Sequence, residues 1–362
     1  MTDSTIAVPP ARVLVVDDSA FMRTALARMI ASEPSFEVVA TACNGAEALE
    51  KIAVLDPDVV TLDVEMPQLD GLATLRIIMS RLPRPVIMVS ATTEEGAATT
   101  FNALSAGAFD YVPKLLSGTS LDIDHIRGEL IAKIRAAALT RRSARNASEK
   151  KPVRSSGKEA PPIALSISEV VAIGTSTGGP KALQEILPRF SSDLAVPILI
   201  VQHMPDGFSA PFAERLNSLC SITVCEARHL EVIQPATAYI APSGSQMRVV
   251  RRSSDLLPSI SLDSSPRGAQ HIPSIDTLMK SVASLYKSRA MAIIMTGMGS
   301  DGAEGMKAIR RAGGFTLGQD ETTCTVYGMP RVCAEMGILD RIVPLSDIPA
   351  QVMQATLRRR HA

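Results

Sequence analysis

Short apolar runs alternate with amphipathic stretches along the first part of the chain. The apolar runs, such as VLVV and VVTL, are short and rich in β-branched residues, which is typical of buried strands. The stretches between them repeat apolar residues at helical spacing. Five predicted strands thus alternate with five predicted helices, an order that favours a parallel sheet covered on both faces. We expect this block to form one domain over residues 11–139.

Apolar periodicity resumes near residue 168 and continues over the rest of the chain, and no internal repeat relates the two blocks. The predicted strands lie at 169–173, 196–201, 222–225, 237–241, 291–295 and 314–317, and the predicted helices at 179–189, 208–219, 274–286, 301–312, 329–336 and 345–358. The alternation predicts a second domain over 168–362, a doubly wound and mostly parallel α/β fold.

The segment that joins the two blocks, residues 140–167, differs from both in composition. From 140 to 162 it carries almost no apolar side chains and seven Lys or Arg residues. Such a segment cannot bury enough apolar surface to offset the entropy of ordering it. The sequence therefore predicts a flexible basic linker. A soluble tether is the simpler interpretation, and docking on an acidic partner is the alternative.

Composition excludes several classes of protein. A chain of 362 residues exceeds what one hydrophobic core usually serves, which agrees with two domains. The 37 Lys and Arg residues balance 37 Asp and Glu residues, so bulk charge indicates neither a nucleic-acid partner nor membrane insertion. No apolar stretch reaches the roughly 20 residues of a membrane span, and the first residues lack the pattern of a secretion signal. The five cysteines are scattered, and we interpret them as reduced thiols. Reduced thiols are typical of the cytoplasm, so the sequence predicts a cytoplasmic protein.

Acidic and polar side chains follow the predicted strands of the first block. Asp17 and Asp18 follow the first strand, and Asp63 ends the third. Because carboxyl ends of parallel strands meet at one edge, these carboxylates are expected to converge, and they would repel one another unless a cation such as Mg²⁺ joined them. Ser90 and Lys114 add a hydroxyl and an ammonium at the same edge. The set favours phosphorylation of a carboxylate over simple solvated acids.

The segments VLVVDDSAFMR, TLDVEMPQLDGL, VIMVSA and DYVPK resemble the response-regulator receiver family. The resemblance implies a flavodoxin-like (βα)5 domain that is phosphorylated with the help of Mg²⁺. The implied roles fall on Asp63 as phosphoacceptor, on Asp17, Asp18 and Asp63 as metal ligands, on Ser90 and Lys114 as contacts of the phosphoryl group, and on Tyr111 as the switch aromatic. One departure is Leu115, which stands where the family usually has proline.

The loop after the first strand of the second block carries a candidate nucleophile. VVAIGTSTGGPKALQEIL is predicted to be a strand, a tight loop and a helix, and Ser176 is the central residue of the G-x-S-x-G pattern GTSTG. The glycines permit a strained turn, and the helix start supplies backbone N–H groups and a positive dipole end. A phosphate-binding loop is the alternative. That pattern requires lysine where Pro180 follows Gly179.

A serine nucleophile needs a base and an acid that orients the base. His203 directly follows an apolar strand at the edge where Ser176 should open, so it is the best of the five histidines, and His271 is second. The loop of MTGMGSDGAEGM offers Asp301 as the acid, although Asp301 could also serve as the N-cap of the following helix. The glycines of this loop would let the amide of Met298 approach a developing oxyanion.

The same loop also matches a competing motif. Gly297, Gly299 and Gly302 spell G-x-G-x-x-G after a strand, and Asp320 follows eighteen residues later, which is close to a dinucleotide-binding fingerprint. Too few residues remain after it for the six-stranded fold that this fingerprint usually accompanies. The competing interpretation also leaves the serine loop unexplained.

The order Ser, His, Asp differs from the order Ser, Asp, His of α/β-hydrolases. The segments IGTSTGGP, QHMPDGFSAPFAERL, AYIAPSG, PSIDTLM, MTGMGSDGAEGM and YGMPRVCAEMG instead resemble the chemotaxis protein-glutamate methylesterase family, CheB. By this resemblance Ser176 is the nucleophile, His203 the base and Asp301 the orienting acid, while Thr177 and Met298 line the oxyanion site. One departure is Ile272, which stands where the family usually has arginine.

The resemblance implies a phosphorylation-activated enzyme that acts on chemoreceptors. It would hydrolyse glutamate methyl esters with release of methanol, deamidate glutamines, and need no cofactor in this second domain. The phosphoryl donor would be a histidine kinase of the CheA type, and the receiver would cover the active site until it is phosphorylated. A non-catalytic module that binds receptors or the kinase is the alternative, which the intact set of serine, histidine and aspartate argues against.

Overall fold

The computed structural model describes residues 9–90, 94–114, 120–147, 168–251, 257–264 and 271–357. The chain divides into two compact units, Met1–Ser156 and Gly157–Ala362. Each unit is an α/β structure built on its own parallel sheet.

The first unit contains the five strands and five helices that the sequence predicts. The strands are β1 (Ala11–Val16), β2 (Phe36–Ala42), β3 (Val59–Asp63), β4 (Val86–Ser90) and β5 (Asp110–Pro113). The helices are α1 (Ala20–Ala31), α2 (Gly45–Leu55), α3 (Gly71–Arg81), α4 (Glu94–Ser105) and α5 (Ser120–Ala147). The strand order β2-β1-β3-β4-β5 is that of flavodoxin-like folds, which confirms the predicted fold class.

Local sequence explains where the helices of this unit begin. Ser19, Asn44 and Asp70 are the N-caps of α1, α2 and α3, and each side chain accepts a backbone N–H of the first turn. The inner strands β3 and β4 are fully buried, because both faces of the sheet are covered, whereas the edge strand β2 is only partly buried. This arrangement places the ends of β1 and β3, with their acidic residues, side by side.

Helix α5 is longer than predicted. It continues to Ala147, whereas the sequence predicts a linker from residue 140, so that prediction is wrong for 140–147. The basic side chains bind to their own unit rather than only to solvent, since Arg141 donates to the carbonyl of Pro83 at 2.6 Å and Arg142 donates to the carbonyl of Pro9. The rest of the predicted linker, 148–167, and Leu115 lie outside the described residues.

The second unit contains more strands than predicted. Its strands are β6 (Val170–Thr175), β7 (Ile198–Gln202), β8 (Thr223–Glu226), β9 (Thr237–Ile240), β10 (Gln246–Val250), β11 (Ser259–Asp263), β12 (Ala290–Ile294), β13 (Phe315–Gln319) and β14 (Arg341–Val343). Its helices are α6 (Gly179–Ile186), α7 (Ser209–Asn217), α8 (Ile275–Tyr286), α9 (Ala303–Arg311), α10 (Met329–Glu335) and α11 (Ile348–Leu357), and 3-10 turns lie at Leu187–Arg189, Lys287–Arg289 and Leu345–Asp347. The antiparallel pair β10-β11 and the short edge strand β14 are additions to the predicted elements.

The order of the large parallel sheet, β14-β13-β12-β6-β7-β9-β8, determines where a site can form. From β6 the chain proceeds toward β7, and from β12 it later proceeds toward β13, in the opposite direction. The strand order therefore reverses between β6 and β12, and a crevice opens at the carboxyl ends of strands at such a point. The loops that follow β6, β7 and β12 meet there.

Candidate active site and phosphorylation site

Ser176 lies in the turn between β6 and α6, at the point where the strand order reverses. Its backbone N–H donates to the carbonyl of Thr296 at 3.0 Å, which ties the turn to the loop after β12. Gly178 has φ = 76°, and a Cβ there would overlap the side chain of Thr325, so the turn requires glycine at this position. The strained turn that the glycine pattern predicts is therefore present.

His203 is held next to this turn by the sheet itself. It directly follows β7, and its backbone N–H donates to the carbonyl of Thr175 at 3.1 Å. Its side-chain Nε2 lies 2.8 Å from Oδ2 of Asp301. An ionised carboxylate only accepts hydrogen bonds, so Nε2 carries the proton and the neutral ring keeps Nδ1 as its acceptor. Nδ1 is the nitrogen that a serine hydroxyl would use.

Asp301 is bound by the start of α8 rather than by its own helix. Its Oδ2 accepts the N–H of Ile275 at 2.8 Å, and its Oδ1 accepts the N–H of Asp276 at 3.1 Å and the hydroxyl of Ser274 at 3.0 Å. The N-cap of α9 is Gly302, so the alternative that Asp301 caps that helix is wrong.

The charge on Asp301 is strongly stabilised. Burial alone would raise the pKa of this carboxyl, but the hydrogen bonds from His203 and from the N–H groups of Ile275 and Asp276 lower the pKa to about 2. The group is therefore an anion at any pH where the protein is used, and it can stabilise an imidazolium on His203.

His271, the second histidine considered as a base, covers the first one. Its ring stacks on the ring of His203 with the centroids 4.6 Å apart and the planes 11° from parallel. Gln246 donates its side-chain amide to the carbonyl of His271 at 2.7 Å. The structure thus brings both histidines together, with His203 at the carboxylate and His271 against the face of its ring.

Thr177 and Met298 lie on either side of Ser176. Thr177 is buried, and its carbonyl accepts the hydroxyl of Thr296 at 2.9 Å. Met298 is 40% exposed and follows Gly297, where a Cβ would lie 2.8 Å from Cβ of Ser176. Their backbone amides are thus near the serine, and the oxyanion role assigned to them stays a prediction.

Two buried polar residues of the site were missed in the sequence. Gln202 donates its side-chain Nε2 to the carbonyls of Ser176 and His203. Thr296 accepts the N–H of Ser176 and bonds through its hydroxyl to the carbonyl of Thr177. The available signal was a polar residue at the end of an apolar strand, as in VPILIVQ, and such residues are common without any function.

The glycines of the competing dinucleotide motif serve a different purpose. The carbonyl of Gly297 accepts the N–H groups of Gly328 and Met329, and Gly297 forms a parallel bridge with Tyr327. The loop is thus packed against the chain that enters α10, and its Asp301 binds His203. Close packing on Ser176 explains Gly297, and positive φ angles of 87° and 97° explain Gly299 and Gly302, without a nucleotide.

The acidic cluster of the first unit converges as predicted. Carboxylate oxygens of Asp17, Asp18 and Asp63 all lie within 4.8 Å of one another. Lys114 places its Nζ 2.6 Å from Oδ2 of Asp63 and 3.7 Å from Oδ2 of Asp17. Lys114 therefore faces two buried carboxylates, and Arg23 adds a second positive charge nearby, where it donates to the carbonyls of Asp17 and Asp18.

The charge balance of this cluster is incomplete without a further cation. Burial raises the pKa of Asp63 to about 6, and Asp17 adds to the rise, although the hydrogen bond from Lys114 opposes it. Burial also raises the pKa of Asp17, whose Oδ2 is buried without a hydrogen-bond partner in the described part of the chain. Oxygen ligands in this arrangement fit Mg²⁺, which would bind that oxygen and offset the repulsion.

Ser90 and Tyr111 are both buried beside the cluster. Ser90 is fully buried, and its hydroxyl donates to the carbonyl of Gly96 in the first turn of α4 at 3.1 Å. The ring of Tyr111 is 2% exposed and packs edge-to-face on Phe101, with the centroids 6.4 Å apart. Both residues thus contact α4, Ser90 through Gly96 and Tyr111 through Phe101, and their switch roles stay predictions.

Comparison with known proteins finds a family for each of the two units. The family model for the CheB methylesterase matches residues 171–352, and the model for the response regulator receiver domain matches residues 13–123. The chain belongs to the CheB methylesterase family. It is 44% identical to the protein-glutamate methylesterase/protein-glutamine glutaminase 1 of Oleidesulfovibrio alaskensis, over 96% of this chain and all of that protein.

Other members of the CheB family give the same result. The protein-glutamate methylesterase/protein-glutamine glutaminase of Geobacillus kaustophilus is 46% identical over 95% of this chain and 98% of its own. The crystal structure of the Thermotoga maritima CheB methylesterase catalytic domain is 36% identical, covers 52% of this chain and 98% of its own, and has a TM-score of 0.50. This CheB family member thus joins a receiver domain to a methylesterase domain. Among the described residues, no helix is long and apolar enough to cross a membrane.

Proposed function

We propose that this chain hydrolyses glutamate γ-methyl esters, and deamidates glutamines, on the cytoplasmic helices of chemoreceptors. The observation that carries the proposal is the 2.8 Å bond between Nε2 of His203 and Asp301, at the sheet edge where the β6 turn presents Ser176. The relatives described above are named as protein-glutamate methylesterases and protein-glutamine glutaminases, which supports this substrate class.

The chemistry follows from the positions of the three side chains. Oγ of Ser176 attacks the ester carbonyl while Nδ1 of His203 takes the hydroxyl proton, and Asp301 stabilises the imidazolium that forms. The amides of Thr177 and Met298 donate to the oxyanion of the tetrahedral intermediate. The C–O bond to methanol then breaks as His203 returns the proton to the leaving oxygen. Water, activated by the same histidine, hydrolyses the acyl-enzyme, and a glutamine substrate releases ammonia in place of methanol.

The receiver domain controls this activity in our proposal. Asp63 attacks the phosphorus of a phosphohistidine, which we infer to belong to a CheA-type histidine kinase, and the P–N bond breaks so that the imidazole leaves. Asp17, Asp18 and Asp63 would hold Mg²⁺. The metal, when bound, neutralises phosphoryl oxygens, and Lys114 adds a second positive charge at the same place. Ser90 and Tyr111 respond to the new phosphoryl group. Covering the esterase site against a bulky helix requires a bias of only a few kcal/mol, which a phosphoryl group can reverse.

Methanol release tests the catalytic part of the proposal. The full-length chain is incubated with methylated receptor, and wild type is compared with Ser176→Ala and with Ser218→Ala as the matched control. Ser218 is exposed and its hydroxyl donates only locally, to the carbonyl of Arg215, so its loss should leave release unchanged. We expect Ser176→Ala to abolish release. Methanol release at the wild-type rate from Ser176→Ala would rule out this nucleophile.

A further inference from the structure

One buried amide contacts both the serine turn and the histidine. Gln202 ends β7, is 2% exposed, and donates its Nε2 to the carbonyl of Ser176 at 3.0 Å and to the carbonyl of His203 at 2.6 Å. Both acceptors are carbonyl oxygens, so the atom that faces them must be the amide nitrogen. We propose that Gln202 is a positioning residue that aligns the nucleophile with its base. This inference rests on the proposed function of Ser176 and His203.

The need for such a clamp follows from the sheet. Strands β6 and β7 are paired in parallel, with Thr175 opposite Gln202. The N–H of His203 still donates to the carbonyl of Thr175, but the two chains then lead into different helices, α6 and α7. Ser176 and His203 thus lie where the ladder gives way to loops. The side-chain amide of Gln202 has two N–H groups, one for each loop. It therefore continues the hydrogen bonding between β6 and β7 by one step.

The oxygen of the same side chain argues against a role in stability. Oε1 of Gln202 is buried and has no hydrogen-bond partner among the described residues, a situation that costs free energy. A Cβ on Gly179 would overlap this oxygen, so the helix start makes room for it. A methionine of similar length would fill the space without this unpaired oxygen. The carbonyl of Ser176 would keep the N–H of Gly179 as a donor, and the carbonyl of His203 would lose the donor that Gln202 supplies. Gln202 donates to both loops although its own oxygen stays unpaired. This combination indicates that the side chain serves to align Ser176 with His203.

A second buried glutamine shows the contrasting case. Gln319 ends β13 at the same sheet edge, and its Oε1 accepts the N–H of Thr296 at 2.8 Å while its Nε2 donates to the carbonyl of Thr323 at 2.8 Å. Both ends of that side chain are satisfied. The unpaired oxygen therefore belongs to the glutamine that joins the serine turn and the histidine, and it is not a general feature of this edge.

The test compares kinetics with stability in the full-length chain. For Gln202→Met we expect kcat for methanol release from methylated receptor to fall about 10- to 100-fold with KM within about twofold, because a misalignment near 1 Å has that effect. The unfolding temperature should change little, because removal of the unpaired Oε1 offsets loss of the donor to the carbonyl of His203. The control is Thr316→Val, which removes a buried hydroxyl that donates to the carbonyl of Ile338 and should lower the unfolding temperature with kcat within about twofold. Gly179→Ala, which displaces the Gln202 side chain from the other side, should lower kcat in the same way.

Three outcomes would overturn the inference: an unchanged kcat in Gln202→Met, a rise in KM alone, or a loss of kcat that only follows a loss of stability. A readout without substrate separates it from the proposed function. The NMR chemical shifts of the His203 ring, assigned with His203→Gln, should change in Gln202→Met and not in Thr316→Val, because only the first variant removes the contact that positions His203. Unchanged shifts in Gln202→Met overturn the clamp by themselves, whereas a wild-type chain that releases no methanol contradicts only the proposed function.

Discussion

His203 and Asp301 meet at 2.8 Å across the reversal point of the sheet, although they lie 98 residues apart in the chain. The carboxylate that binds the ring also accepts two N–H groups and a hydroxyl from the start of α8. The base is therefore oriented by an acid that is itself fixed by a third segment. This chain of contacts makes the geometry of His203 depend on α8, which carries no candidate catalytic residue.

The two stacked histidines should differ in their effect on activity. His203→Gln removes the base, and we expect kcat for methanol release to fall by at least about a thousandfold. His271→Gln removes only the stacked ring, and a ring pair is worth up to about tenfold in rate. Steady-state kinetics of both variants check this. If His271→Gln lost as much activity as His203→Gln, the assignment of the base would have to be revised.

Asp301 should stabilise the fold as well as orient the base. Its pKa of about 2, below the ordinary 3.8, corresponds to about 2 kcal/mol of unfolding free energy at pH 7. A depressed folded-state pKa means that this stability is present above pH 3.8 and is lost as the pH falls through 2. We expect Asp301→Asn to lose about that amount at pH 7, and the difference from wild type to shrink by roughly half at pH 3. Denaturant unfolding at both pH values measures it, and a difference that grew at low pH would contradict the pKa.

Gly178 and Gly207 separate backbone strain from steric overlap. Both have positive φ, 76° and 84°, but a Cβ on Gly178 would overlap Thr325, whereas a Cβ on Gly207 would have no heavy atom within 4 Å. Gly207→Ala should therefore lose only the strain of a left-handed residue, about 1–2 kcal/mol. Gly178→Ala should lose more than that, together with activity at Ser176. Equal losses in unfolding free energy would show that the overlap relaxes freely.

Phosphorylation should depend on Asp63 and leave basal catalysis intact. Asp63→Asn removes the carboxylate that Lys114 binds at 2.6 Å, so acetyl phosphate plus Mg²⁺ should no longer stimulate methanol release, while the basal rate persists. The matched control is Asp56→Asn, an exposed acid of the same unit, which should respond to the phosphodonor as wild type does. Stimulation that survived in Asp63→Asn would contradict the proposed switch.

Lys133 is a buried cation whose loss should destabilise the receiver domain. It lies 2.6 Å from Glu129 and 3.4 Å from Asp110, which is itself buried with a pKa raised by that burial. Lys133→Met leaves Asp110 without its partner, and we expect a loss of about 3–5 kcal/mol in unfolding free energy. The double variant Lys133→Met/Asp110→Asn should recover part of it. If the double variant were less stable than the single one, the cost would not lie in the uncompensated carboxylate.

Much of the molecule could be predicted from the sequence, because the relevant signals are local. The period of the hydrophobic residues separates strands from helices. Ser19 and Asp70 are residue types that favour the N-cap, and Gly178 is required by the turn in which it lies. The order of strands and acids along the chain also predicts that Asp17 and Asp63 converge, since parallel strands end at one edge.

The remaining features were decided by the tertiary structure, because they depend on contacts between segments that are distant in the chain. Arg141 and Arg142, near the end of α5, donate to the carbonyls of Pro83 and Pro9, which are distant in the chain. The stacking of His271 on His203 and the clamp by Gln202 depend on which strands lie side by side. No local pattern distinguishes such a buried amide from any other polar residue at a strand end. The sequence by itself determined most of the elements and the residue types of the site, and only the packing of the sheet decided which of these residues touch.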